Sequence, residues 1–198
     1  MSSASYMSLP RKPEAFPLSE YEISNKNAGL YHGINRYQNA YYNYYTYLPS
    51  SSSLNDHDHY LAFSEQTEIA TFEGCFKNPF IYCFFSGMTP GFREQFDEII
   101  HRGSLNEETK ELKLKKLYDS LDCWRQQVLY ATIDSILDVG EFAEILTVFI
   151  NHMDFIFGPP ISERTISLKD LLNLKNVLHH PKYPDIRGGY KLTIIKIE

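Results

Sequence analysis

At 198 residues, with 43% hydrophobic and 22% charged side chains, the chain is long enough to bury a core without disulfide or metal staples. That composition excludes wholesale disorder, collagen and a coiled coil. Nineteen Lys and Arg against 25 Asp and Glu leave a net charge of −6, without the broad positive footprint of a nucleic-acid binder and with little for an anionic membrane to hold.

Residues 1–26 are rich in Ser and Pro, with Pro10, Pro13 and Pro17, and read as an irregular arm ahead of one α+β domain over 27–198. Gly29-Leu30-Tyr31-His32-Gly33 is a candidate strand. A tyrosine-rich stretch follows over 37–47, then a flexible Ser-rich loop over 49–55. Residues 59–64 read as a second strand, with Ser64 a candidate cap for a short helix carrying Glu65, Ile69 and Phe72. Phe80 to Phe85 is a third strand, aromatic and closed by Ser86-Gly87.

The middle of the chain reads as helical over 89–157, an insertion of about seventy residues in a mixed or antiparallel sheet. Thr89, Pro90 and Gly103 bracket its first helix. Asn106 starts a second, in which Leu114, Leu117, Leu121, Trp124 and Val128 recur at spacings of three and four, and Gly140 stops it. A third helix is expected over 141–157. Ser167 and Asp170 have the spacing of a capping box for a fourth, over 168–178. Tyr190 to Ile197 alternates as a closing strand.

Cys75, Cys83 and Cys123 are odd in number and form no CxxC pair, so neither a disulfide framework nor a zinc site is expected. Asp56-His57-Asp58-His59 reads as a solvated loop, because four adjacent extended residues do not converge on one ion. Walker A, GxGxxG, HExxH and GxSxG patterns do not occur. No signal peptide or membrane span is legible, and a cytoplasmic location is expected.

Two short motifs occur in order: Tyr31-His32-Gly33, then Tyr60-Leu61-Ala62 with Ser64 and Ala70. The pair resembles the ADP-ribosyltransferase superfamily, in its branch with a His, a Tyr and a Glu at the NAD site. The resemblance implies that superfamily's sheet core and NAD as substrate. It implies that His32 holds the nicotinamide ribose, that Tyr60 stacks on the nicotinamide, and that Gly33, Ala62 and Ser64 line the pocket. It also implies a catalytic Glu at the start of a late strand, where Glu163 stands in 161–166, with Glu73 and Glu198 as alternatives. The spacing from Tyr60 through Ser64 to Glu73 is similar to the NAD-degrading RES-domain toxins, although their first-strand Arg is absent and Arg36 lies just beyond.

These residue types suit the chemistry. Loss of nicotinamide develops oxocarbenium charge, which a carboxylate stabilises while orienting the acceptor. The expected function is transfer of ADP-ribose from NAD to a protein target, as in a toxin or delivered effector. Two alternatives stand beside it: a non-catalytic protein-interaction module built on the helical block and tyrosine-rich segment, and a RES-like NAD glycohydrolase.

Overall fold

The computed structural model describes residues 2–17, 33–38, 43–48, 61–67, 72–86, 92–103, 105–150, 162–174 and 190–198. Among them are nine strands: β1 (Ser2–Leu9), β2 (Phe16–Pro17), β3 (Gly33–Gln38), β4 (Asn43–Leu48), β5 (Leu61–Glu65), β6 (Phe80–Ser86), β7 (Phe142–Ile150), β8 (Ser162–Ser167) and β9 (Tyr190–Ile195). Two helices, α1 (Phe92–His101) and α2 (Glu107–Ile136), separate β6 from β7, and a 3-10 turn, Lys169–Asn173, follows β8. The strands form one sheet in the order β2-β3-β4-β5-β6-β1-β7-β9-β8. Neighbours are antiparallel except at the two edges, where β2 runs parallel to β3 and β8 parallel to β9. The class is α+β with a mixed sheet.

The helical insertion is shorter than the sequence indicates. Helix ends at Ile136, and residues 142–150 form a strand. The reason lies in double-sided burial. Ala143 and Ile145 face one cluster of the core, and Leu146 and Val148 face the other. A strand buried on both faces loses the polar alternation that marks a strand, and its apolar run imitates a helix. β-branched Ile145, Thr147 and Val148 favour the extended form.

Within the irregular arm expected over 1–26, residues 2–9 form a strand, and 18–26 lie outside the described residues. β1 lies inside the sheet, paired with β6 and β7. Ser5 and Ser8 look like loop chemistry but have partners across the sheet. Ser5 Oγ lies 3.3 Å from Thr147 Oγ1, and Ser8 Oγ donates to Glu144 Oε2 at 2.9 Å. Tyrosine-rich 37–47 contributes to the antiparallel pair β3–β4. Ser64 and Glu65 belong to β5, so Ser64 caps no helix.

The second helix is as the sequence indicates. Asn106 caps α2 by accepting from the Thr109 N–H at 2.8 Å, with Glu107 and Glu108 at the positive end. Beyond α2, Gly140 adopts φ +90°, a left-handed turn that a side chain would strain. Val128, Leu129, Ile133 and Ile136 seat the C-terminal part of α2 on Met7, Phe63, Tyr82, Ile145 and Leu192 of the sheet. On the opposite face, residues 72–78 close a second cluster, with Phe72 and Cys75 over Tyr6, Ile81 and Leu146. The capping pair Ser167–Asp170 forms, with Ser167 Oγ donating to Asp170 Oδ2 at 2.7 Å, but it opens a 3-10 turn.

Lys12, just past β1, pairs with Glu65 on β5 at 2.6 Å, and Asn43 donates to the same carboxylate at 2.9 Å. Burial opposes the charge on Glu65. The hydrogen bonds from Lys12 and Asn43, with the charges of Lys12 and Arg36, outweigh it and hold this carboxyl below its ordinary 4.5. A lowered carboxyl contributes stability above its unfolded value and loses it as the pH falls through the folded one. Lys12→Met is therefore expected to lower stability at neutral pH and to make the loss below pH 4.5 shallower. Urea unfolding on both sides of pH 4.5 measures both effects.

Candidate functional site

Of the residues that the sequence groups into one site, Glu163 stands far from the others that the structure describes. His32 and Tyr60 lie outside the described residues, as do Tyr31, Ala70 and 56–59. Gly33 opens β3, and Ala62 and Ser64 lie on β5. Glu163 lies on β8, at the opposite edge. Five strand spacings separate β5 from β8, about 24 Å at about 4.8 Å each. A catalytic group must come within about 3 Å of the group that it serves. The described strands therefore do not bring Glu163 together with Gly33, Ala62 and Ser64.

Glu163 instead joins a polar cluster on the sheet face that residues 72–78 cover. Its Oε1 lies 3.3 Å from Lys191 Nζ, whose side chain is only 5% exposed. Lys191 also faces Glu144 Oε1 at 3.4 Å and donates to the Cys75 carbonyl at 3.2 Å. Glu144 is fully buried. Its Oε2 accepts from Ser8 Oγ, from the Lys77 N–H at 2.7 Å and from the Asn78 N–H at 3.2 Å. Asn78 Nδ2 donates to the Phe142 carbonyl at 2.9 Å. Among the described residues Glu144 Oε1 has no hydrogen bond and meets only the Lys191 charge, but with Oε2 holding two backbone amides and a hydroxyl, Glu144 is an anchor. It holds the 72–78 segment against β1 and β7, and Lys191 balances its charge. Glu163, 55% exposed, is the outer partner of Lys191. Glu73 and Glu198 are exposed.

The cysteines offer no nucleophile on this face. Burial pushes the Cys75 thiol up, with Lys191 opposing, and burial likewise raises Cys83. Both favour the protonated, unreactive form. Among the described residues, no group of three or more His, Cys, Asp or Glu is placed to hold a metal ion, and no helix is long and apolar enough to cross a membrane.

A groove lies between α1 and α2. Phe92, Leu117 and Leu121 hold the two helices together, supported by Phe96 and Ile99. The phenyl ring of Phe92 meets Tyr118 edge-on at 5.5 Å. Beside this seam is an open groove of about 410 Å³. Ile99, Leu105 and Leu117 supply its apolar lining, and Arg102, Lys113 and Lys116 its positive charge. Arg102 pairs with Glu98 at 2.8 Å. Lys113 and Lys116 are exposed and make no ion pair among the described residues. The part of α2 from Glu107 to Leu121 is about 22 Å long at 1.5 Å per residue, and its buried Leu117 and Leu121 pack on Phe92 of α1. Ile100, Leu112 and Tyr118, at 40%, 54% and 47% exposure, are exposed large hydrophobics on these helices.

Sequence reasoning passed over Glu144, Lys191, Lys113 and Lys116. A carboxylate inside the apolar run of 142–150 is the signal that marks Glu144 in the sequence. Lys113 and Lys116 lie in a chain of net negative charge, and the cluster Lys113-Leu114-Lys115-Lys116 marked a local reversal. Compared with known proteins, the chain matches no family model, no curated protein and no solved structure.

Proposed function

We propose that this protein is a non-catalytic interaction module. The sheet with the C-terminal part of α2 is the scaffold. The α1–α2 arm is the recognition surface, and its partner is a protein segment with an acidic, amphipathic face. The observation that carries this reading is the groove itself: an apolar floor rimmed by Lys113 and Lys116, without partners among the described residues, on an arm that packs away from the sheet. A helix laid in such a groove would place apolar residues at i, i+3 and i+4 on Ile99 and Leu117, and carboxylates against the lysines. Complementary charge at a rim speeds encounter and fixes partner choice more than it adds affinity.

The competing proposal is ADP-ribosyl transfer from NAD. Its support is the motif pair at His32 and Tyr60. The separation of Glu163 from Gly33, Ala62 and Ser64 weighs against it, as does the tie of Glu163 to Lys191.

Affinity capture from lysate, with wild type beside the double variant Lys113→Glu/Lys116→Glu, tests the interaction reading. A recovered protein is then purified and titrated directly. Wild type is expected to bind and the charge-reversed arm to lose most of that binding. Both substitutions are exposed and should change stability by no more than about 0.5 kcal/mol. Nicotinamide release from NAD that vanishes in His32→Ala would move the assignment to the transferase.

A further inference from the structure

The polar lining of the α1–α2 groove is arranged by helix periodicity. On the α2 wall, Lys113, Lys116 and Ser120 follow one another at spacings of three and four, which puts them on one face. On the facing wall, Gln95 and Arg102 are seven residues apart, two turns along α1 and its last hydrogen-bonded turn, where the Arg102 N–H donates to the Glu98 carbonyl at 3.1 Å. Neighbours three apart on a helix have Cβ atoms about 5–6 Å from each other, so the ammonium groups of Lys113 and Lys116 can converge on one ligand group.

The charge of the groove does not balance. Three cations and one carboxylate line it. Arg102 and Glu98 pair at 2.8 Å and cancel. Lys110, one turn before Lys113, is held by Glu107 at 3.1 Å. Lys113 and Lys116 have no such partner among the described residues, which leaves two positive charges side by side. The side chains of Ser120 and Gln95 are also exposed and make no hydrogen bond among the described residues. A single carboxylate answers one of the two lysines. A phosphomonoester carries about −1.5 to −2 charges at pH 7 and three acceptor oxygens. It matches both lysines at once and leaves an acceptor for the Ser120 hydroxyl.

We propose that the groove takes a phosphorylated peptide segment, with the phosphate of a modified Ser or Thr between Lys113 and Lys116 and a neighbouring apolar side chain on Ile99, Leu105 and Leu117. This inference rests on the reading of the arm as a recognition surface, and it makes that recognition conditional on phosphorylation of the partner. Lysines act on a phosphate as point charges, without the paired geometry of an arginine fork. Glu98 keeps Arg102 occupied, so the phosphate is held by charge and the apolar floor sets which flanking residues are accepted.

The test is retention of degenerate peptide libraries on the immobilised full chain. Three libraries share random flanks and differ in the fixed central residue: phosphoserine mixed with phosphothreonine, glutamate, or serine mixed with threonine. Wild type is expected to retain the phosphorylated library at least about tenfold over the other two, with apolar residues enriched within one helical turn of the phosphate. Lys113→Gln/Lys116→Gln is expected to lose most of that preference. Lys113→Arg/Lys116→Arg, which keeps both charges, is expected to retain it, as is Lys115→Gln, exposed on α2 but outside the groove lining. Equal retention of the phosphorylated and glutamate libraries would overturn the proposal and leave an acidic partner standing. A preference that survives in Lys113→Gln/Lys116→Gln would overturn it by placing the phosphate elsewhere. Retention of no library above background would overturn it as well, while binding by the charge-reversed Lys113→Glu/Lys116→Glu decides the role of the arm separately.

Discussion

Glu144→Ala is expected to cost about 3–5 kcal/mol, because it breaks a buried ion pair and strips three donors of their acceptor at once. Lys191 would keep only the half-exposed Glu163 and the Cys75 carbonyl. Ser8 Oγ and the N–H groups of Lys77 and Asn78 would lose their acceptor together. For a chain of this size the loss lowers Tm by roughly 10 °C. Lys191→Met should cost less, since Glu144 keeps three donors and only the counter-charge goes. Equilibrium unfolding of both single variants and the double measures the coupling between them. Limited trypsin digestion adds a local readout, with cleavage after Lys77 expected to accelerate in Glu144→Ala as the 72–78 segment loses its anchor. Equal costs for the two single variants would mean that the ion pair, and not the hydrogen-bonded carboxylate, holds that segment.

The second large effect is at the opposite face. Ile133 has no exposed surface and seats α2 on the sheet beside Val128, Leu129 and Ile136. Ile133→Ala removes apolar atoms from a site that the flanking strands prevent from collapsing. The expected cost is about 2–5 kcal/mol, read as a lower urea midpoint without a change in slope. Leu112→Ala, on the same helix but 54% exposed, should fall within about 0.5 kcal/mol of wild type. The contrast separates the two jobs of α2: its C-terminal part is core, and its N-terminal part is surface. A large cost at Leu112 would mean that the arm is covered in the free protein, and the groove would then not be available to a partner.

Much of this was legible in the sequence where local chemistry decides the outcome. Asn106 with Glu107 and Glu108, and the three-four spacing from Leu114 to Val128, define α2 almost to the residue. The aromatic run at β6 and the alternation at β9 are equally local. Misreadings arose where tertiary burial decides. Residues 142–150 look helical because both faces of β7 are covered, and 2–9 look irregular because Ser5 and Ser8 find partners on β7. The candidate site was legible least of all. Strand order depends on pairings between residues more than a hundred positions apart, such as Tyr6 with Leu146. Neither spacing nor motif discloses that order, so the sequence did not show Glu163 on the far edge from Gly33 and Ser64. The same pairing brings Glu144, Ser8 and Lys191 together, which explains why none of the three stood out alone.

The most direct test of the central claim is a titration of the protein recovered by capture into wild type and into Lys113→Glu/Lys116→Glu, at low and high salt. Recognition through the arm predicts an affinity at least about tenfold weaker in the variant at low salt, equivalent to about 1.4 kcal/mol. It also predicts a salt dependence that is strong in wild type and flattened in the variant. Equal affinity and equal salt dependence in the two proteins would contradict it and place recognition elsewhere on the chain.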